Sequence, residues 1–147
     1  MNYVGIDPGK TGAMAILWEE TGTFHVPEVV DFKDTVWQEI PNYPPNTRVY
    51  IEAVHAMPGQ GVTGMFNFGM NFGWWKGALD AIGHKYVLVT PQAWKKHFGL
   101  IGKSKDDARI LAIELFPRIK DQLSRKKDCG RADALLIARY GMEKYGK

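Results

Sequence analysis

A single cysteine, Cys129, leaves this 147-residue chain without an internal disulfide. No apolar run approaches the roughly 18 residues that a membrane-spanning helix needs. The N-terminus lacks the basic-then-apolar pattern of a signal peptide. Secretion and membrane insertion are thereby set aside, and a reducing cytoplasm is the expected home. Excess charge of one sign is small as well: a formal net charge of +3 does not suffice to claim a polyanionic partner from the total. There is no internal repeat and no low-complexity tract. What is present is 45% apolar and 24% charged, ordinary globular proportions that argue against disorder and fit a single domain over 1–147.

The cations are unevenly spread. Lys and Arg crowd into WKKHFGLIGKSKDDAR (94–109) and RIKDQLSRKKDCGR (118–131), while the first half is balanced or acidic. A solvated basic face accounts for this as readily as a binding surface does.

Short apolar segments at 2–6 and 12–18, separated by Pro8, Gly9 and Gly12, predict a hairpin. A third strand is expected over 23–31, on an edge or at a bulge because of Pro27. After Pro41, Pro44 and Pro45 comes RVYIE (48–52), a compact strand that ends in an acid, and then a loop, HAMPGQG (55–61). Between 63 and 82, Met65, Phe68, Phe72, Trp75 and Leu79 follow helical spacing, with glycines at 64, 69, 73 and 77 forming a smooth row that suits close packing on a sheet or a partner helix. HKYVLVT (84–90) is a further strand, and Pro91 opens a helix. Ser104 caps another helix, with Ala108, Leu111, Ala112 and Leu115 on one face and Pro117 as its stop. A last helix buries Leu135, Ala138 and Tyr140 or Met142. Strands followed by alternating helices and strands predict a mixed α/β sheet with helices on its faces.

The stretch GIDPGKTG (5–12) is not a nucleotide phosphate loop. Such a loop needs four residues between its first Gly and the Gly-Lys pair, and here only Ile6, Asp7 and Pro8 intervene. Pro8 also removes an amide donor, Asp7 would repel phosphate, and a strand rather than a helix follows. That leaves Asp7 as a strand-end acid, either starting an Asx-turn before Pro8 or facing a cation.

Glu52 ends its strand as Asp7 does, and Asp133 lies in the first turn of the last helix, between Ala132 and Ala134. Three carboxylates from three separated segments suit hard divalent cations with incomplete protein coordination, and two such ions suit phosphodiester hydrolysis. Asp128 is a further candidate. It precedes Asp133 by five residues, which on a continuous helix turns it about 140° away. It shares the site only if the chain is non-helical near Gly130; the other reading is an N-cap or solvated role.

With those residues in place the sequence resembles the RuvC-type Holliday junction resolvases, especially their phage-encoded relatives. The likeness is carried by GIDPGKTGAMAI, YIEAV, VTPQAWKK and DCGRADALLIA in that order. It implies an α/β, ribonuclease H-like fold: a mixed five-stranded sheet with helices on both faces. It further implies a homodimer acting on branched DNA, above all four-way junctions, in the cytoplasm of a bacterium or a phage-infected host, with no membrane partner. Mg²⁺, or Mn²⁺ in its place, would be held by Asp7, Glu52, Asp133 and a partner for which Asp128 is the candidate. Family pairs stand three or four residues apart, whereas the residue three before Asp133 is Gly130. The catalytic set implied is Asp7, Glu52, Asp128, Asp133 and a lysine, Lys105 or Lys103, that stabilises charge on the phosphate. The DNA contacts implied are Lys95 and Lys105, with surface solubility as the plain alternative for each, and a stacking role for His55, with capping of its loop as the other reading; Lys10, Lys96, Lys103 and Arg131 are further candidate DNA contacts.

Three other readings stand beside the resolvase. A flap or fork nuclease would use the same chemistry. A sugar-kinase-like or actin-like ATPase also begins with a strand, an Asp and a Gly-rich hairpin, but needs a second lobe for which 147 residues leave no room. A catalytically dead DNA-binding relative is opposed by the retention of Asp7, Glu52 and Asp133 together.

Overall fold

The computed structural model describes residues 1–32, 44–53, 55 and 58–146. Pro41, Val54 of the YIEAV motif, and Ala56 and Met57 of the expected loop lie outside the described residues.

Two neighbouring apolar segments form the hairpin β1 (Asn2–Asp7) and β2 (Ala13–Glu20), which pair antiparallel with Asp7 opposite Ala13. β5 (Thr47–Glu52) lies parallel to β1, and β6 (Tyr86–Val89) lies parallel to β5. The expected third strand is broken in two. β3 (Thr23–Phe24) and β4 (Glu28–Asp31) both run along the free side of β2, one against each end of it. Pro27 explains the gap, since it has no N–H for the ladder, while His25 just before it still donates to the Trp18 carbonyl at 3.1 Å. The order β3-β2-β1-β5-β6, with β4 beside β2, is thus a mixed sheet of six strands in five positions.

The remaining elements are α1 (Val62–Ala81), α2 (Pro91–His97), α3 (Lys105–Leu115) and α4 (Cys129–Tyr145). Their ends follow the sequence signals. Thr90 accepts a hydrogen bond from the Ala93 amide, with Pro91 at the first helical position. Ser104 and Asp107 form a reciprocal capping box on α3. Pro117 ends α3 and begins a 3-10 turn (Pro117–Leu123), followed by a second (Lys126–Asp128) that leads directly into α4. Neither turn was expected from periodicity.

Alternation along β1 divides the core. Val4 and Ile6 face one way, onto Trp75, Ala78 and Leu79 of α1. Tyr3 faces the other way, into a larger core with Trp94, Ala108, Ala112 and the apolar face of α4. Helices therefore cover both faces. The seating of α4 depends on one missing side chain: a Cβ on Gly5 would overlap the Ala134 carbonyl and the Ala138 amide. That absence lets the α4 backbone press directly onto β1.

α1 departs from expectation. Its Trp75 and Leu79 are buried, but the glycines at 64, 69, 73 and 77 look onto open space rather than the sheet, and Phe66 and Met70 are 66% and 55% exposed. No helix among the described residues is long and apolar enough to cross a membrane.

Candidate metal and nuclease site

The site follows from strand parity. Asp7 shares a face of β1 with Tyr3 and Gly5, and Glu52 shares a face of β5 with Tyr50. Tyr3 and Tyr50 both lie in the core beneath α4, so both terminal acids emerge on that side. The parallel register, Gly5 with Tyr50 and Ile6 with Ile51, brings the two strand ends level. α4 then delivers Asp133 from its second turn, one residue before the Ala134 that rests on Gly5.

These three half-buried carboxylates feel one another. Burial pushes Glu52 up to about 7, with further upward pressure from Asp7. Burial likewise raises Asp133 to about 8, helped by the charges of Asp7 and Glu52. Asp7 is also raised by burial, against a hydrogen bond from the Gly9 amide to its Oδ1 at 2.9 Å. That bond is the Asx-turn read from the sequence, so the turn and the shared site coexist on one carboxylate. Lys95 and Lys105 draw all three carboxylates back toward ionisation.

Among the described residues no three His, Cys, Asp or Glu side chains stand as a finished metal cage. The donor chemistry nevertheless fits a hard dication. Three carboxylates on separate elements carry mutual repulsion that a doubly charged ion would relieve, and such an ion would keep coordination positions for solvent or phosphate.

The other nominated residues are distributed as follows. Asp128 does not join the trio. It is 2% exposed, and it accepts from the Arg125 backbone amide (2.9 Å) and from the Arg125 guanidinium through both oxygens (2.9 and 3.2 Å). Burial alone would raise its carboxyl, but those bonds outweigh burial and hold it below the usual range. The cause is helical continuity: α4 runs unbroken through Gly130, so the five-residue offset turns Asp128 away from Asp133. Gly130 serves closeness instead, since a Cβ there would overlap the Thr11 carbonyl. Arg131 makes a two-pronged ion pair with Asp31 at 2.8 and 2.9 Å, tying α4 to β4. Lys10 lines a polar cleft with Arg125, Lys127 and Arg131. Lys103 acts on Asp107 rather than on the trio, and Lys96 is an exposed residue of the last turn of α2. His55 is exposed at a cavity of about 320 Å³ that also contains Glu52, Phe68 and Phe72.

Sequence reasoning missed Trp94. Its indole N–H donates to Glu52 Oε2 at 2.7 Å from a fully buried position. A signal existed: a tryptophan on the inward side of a short helix needs an acceptor for its N–H.

The strand order, the mixed pairing and the helices on both faces define a ribonuclease H-like fold. Two solved structures share it across nearly the whole chain. A Thermus thermophilus RuvC structure matches at TM-score 0.64 and 18% identity, and T. thermophilus RuvC in complex with a Holliday junction substrate matches at 0.63 and 17%; each alignment covers 99% of this chain and 97% of the other. In sequence, the chain is 37% identical over 94 residues to the chloroplastic Holliday junction resolvase MOC1 of Chlamydomonas reinhardtii. That alignment covers 63% of this chain and 11% of the algal protein. No protein-family profile matches the sequence.

Proposed function

We propose that the chain is a single nuclease domain that hydrolyses phosphodiesters in branched DNA, with four-way junctions as its preferred substrate. The observation that carries this reading is the meeting of Asp7, Glu52 and Asp133 from β1, β5 and α4, each pushed toward protonation by burial, Glu52 also by the charge of Asp7 and Asp133 by the charges of both. The RuvC likeness in fold and the similarity to an algal resolvase support the same reading. The relative is a chloroplast protein, so placement in the phage-encoded branch rests on the motifs alone.

Asp7, Glu52 and Asp133 would hold Mg²⁺ or Mn²⁺; Asp128, engaged by Arg125, would join them only by giving up that pair. When bound, the divalent cation supplies Lewis acidity for attack of water on phosphorus, leaving a 5′-phosphate and a 3′-hydroxyl. Lys95 and Lys105 supply positive charge where the scissile phosphate gathers negative charge. Lys10, on a cleft with Arg125, Lys127 and Arg131, and the exposed Lys96 can neutralise phosphates without reading sequence. The uncovered face of α1, with Phe66, Met70 and its glycine row, suits a second copy, and a homodimer would present one active site to each of two opposed strands.

The test is Mg²⁺-dependent cleavage of a synthetic four-way junction by the wild type and by Asp7→Asn, with three-way, flap and linear DNA alongside. Asp7→Asn is expected to bind the junction and fail to cut it. Equal cutting by both proteins removes Asp7 from the chemistry, and equal cutting of all branched forms assigns a flap or fork nuclease instead.

A further inference from the structure

A carboxylate at the last position of a strand has free side-chain torsions, and a site built on it is only as well defined as whatever fixes them. For Glu52 that group is Trp94. The indole N–H is donor only, so its 2.7 Å bond to Oε2 selects an accepting oxygen and leaves Oε1 for the site. Trp94 is itself immobilised: it is 0% exposed, packed in the core beneath α4, on a helix whose first turn is fixed by the Thr90 cap and Pro91. The Ala53 amide donates to the Val89 carbonyl at 2.7 Å, which ties the end of β5 to the strand that feeds this helix. The opposite charge is organised by the same ring, for Lys95 Nζ lies 5.5 Å from the Trp94 ring centroid.

We propose that Trp94 is a positioning residue that orients the Glu52 carboxylate, and with its ring face the Lys95 ammonium, for binding of a divalent cation. This rests on the nuclease-site reading of Glu52. Partners that orient a ligand from behind typically change metal affinity by about 10- to 100-fold when removed.

The alternative is that Trp94 only fills the core, and the molecule contains its own control. Trp75 is equally buried, yet its indole nitrogen has no hydrogen-bond partner among the described residues. Trp94→Phe and Trp75→Phe therefore remove comparable volume, but only the first removes a bond to the site. Mn²⁺ titration of the metal-free protein by electron paramagnetic resonance is expected to show binding weakened about tenfold or more by Trp94→Phe and unchanged by Trp75→Phe. Wild-type affinity in Trp94→Phe overturns the proposal while leaving the site intact. If the wild type binds Mn²⁺ no better than Asp7→Asn, the site reading fails and this proposal falls with it. Should Trp94→Phe not fold, the wild type decides. Mg²⁺ must then shift one indole N–H resonance in the NMR spectrum, the one that Glu52→Ala displaces, and absence of that shift refutes the role of Trp94.

Discussion

Glu52 and Asp133 both titrate above their ordinary values of 4.5 and 3.8, Glu52 near 7 and Asp133 near 8. The folded chain therefore holds protons that the unfolded chain has released, over a window from about pH 4 to about pH 8. The stability they allow is complete below the unfolded values and drains away as pH rises through the folded ones. Without metal, thermal unfolding should thus show a midpoint that falls from pH 5 to pH 8, with a cost on the order of 1 kcal/mol per pH unit. Asp133→Asn should flatten that slope and stabilise the metal-free protein at pH 8 by about 1 kcal/mol while abolishing cleavage. A midpoint that rises with pH, or falls equally steeply in Asp133→Asn, would contradict the burial, and the repulsion added to it, assigned to these groups. At this scale the sequence was legible where residues end their elements. Asp7 and Glu52 declare themselves as acids after apolar runs, and Asp133 as an acid between alanines. It was not legible for Asp128, whose fate depends on Arg125 folding back three residues, a contact that spacing alone does not favour over solvent.

At the scale of elements, strand and helix identities follow from alternation and caps, while the packing of one element on another does not. The glycine row of α1 reads as the tightest surface in the sequence, yet it faces outward, and the close approach is made by isolated glycines instead. Gly5 sits under α4, Gly130 against the Thr11 carbonyl, and Gly141 over the Tyr50 ring. A lone glycine in a strand carries no periodic signal, so nothing in the sequence separates it from a bulge. Its importance is measurable. Gly5→Ala should cost about 3 kcal/mol or more, because the atoms in its way are backbone and cannot rotate aside. Chemical denaturation reads this directly, and a loss below about 1 kcal/mol would mean that α4 can lift from the sheet at little cost. The breaking of the third strand at Pro27 was half anticipated: the edge position was read correctly, and the interruption was not.

The whole molecule packs α4 on one face of the sheet and α1 on the other, and its three clustered acids stand at the strand ends between them, Glu52 opening onto a cavity shared with Phe68 and Phe72 of α1. Trp75, Ala78 and Leu79 of α1 serve the chain's own core, whereas Phe66 and Met70 stand largely exposed among the described residues. If that surface joins two copies, Phe66→Asp should shift the protein from dimer to monomer in light scattering while leaving the unfolding midpoint of the dilute protein nearly unchanged, since the residue is 66% exposed. An unchanged mass would free α1 from that role.

The backbone contact between Gly5 and α4 also decides where this chain can change length. Adding one residue to a helix advances everything beyond it by about 1.5 Å and turns it by about 100°. An insertion between Gly130 and Ala138 would swing Asp133 out of line or unseat the helix from β1. In the 117–128 connector Ile119 and Leu123 are core residues and Asp128 is buried, so only the exposed stretch 124–127 between them is free of such a constraint. Tolerance of insertions should therefore be abrupt rather than graded along this part of the chain: present within 124–127, and absent a turn later.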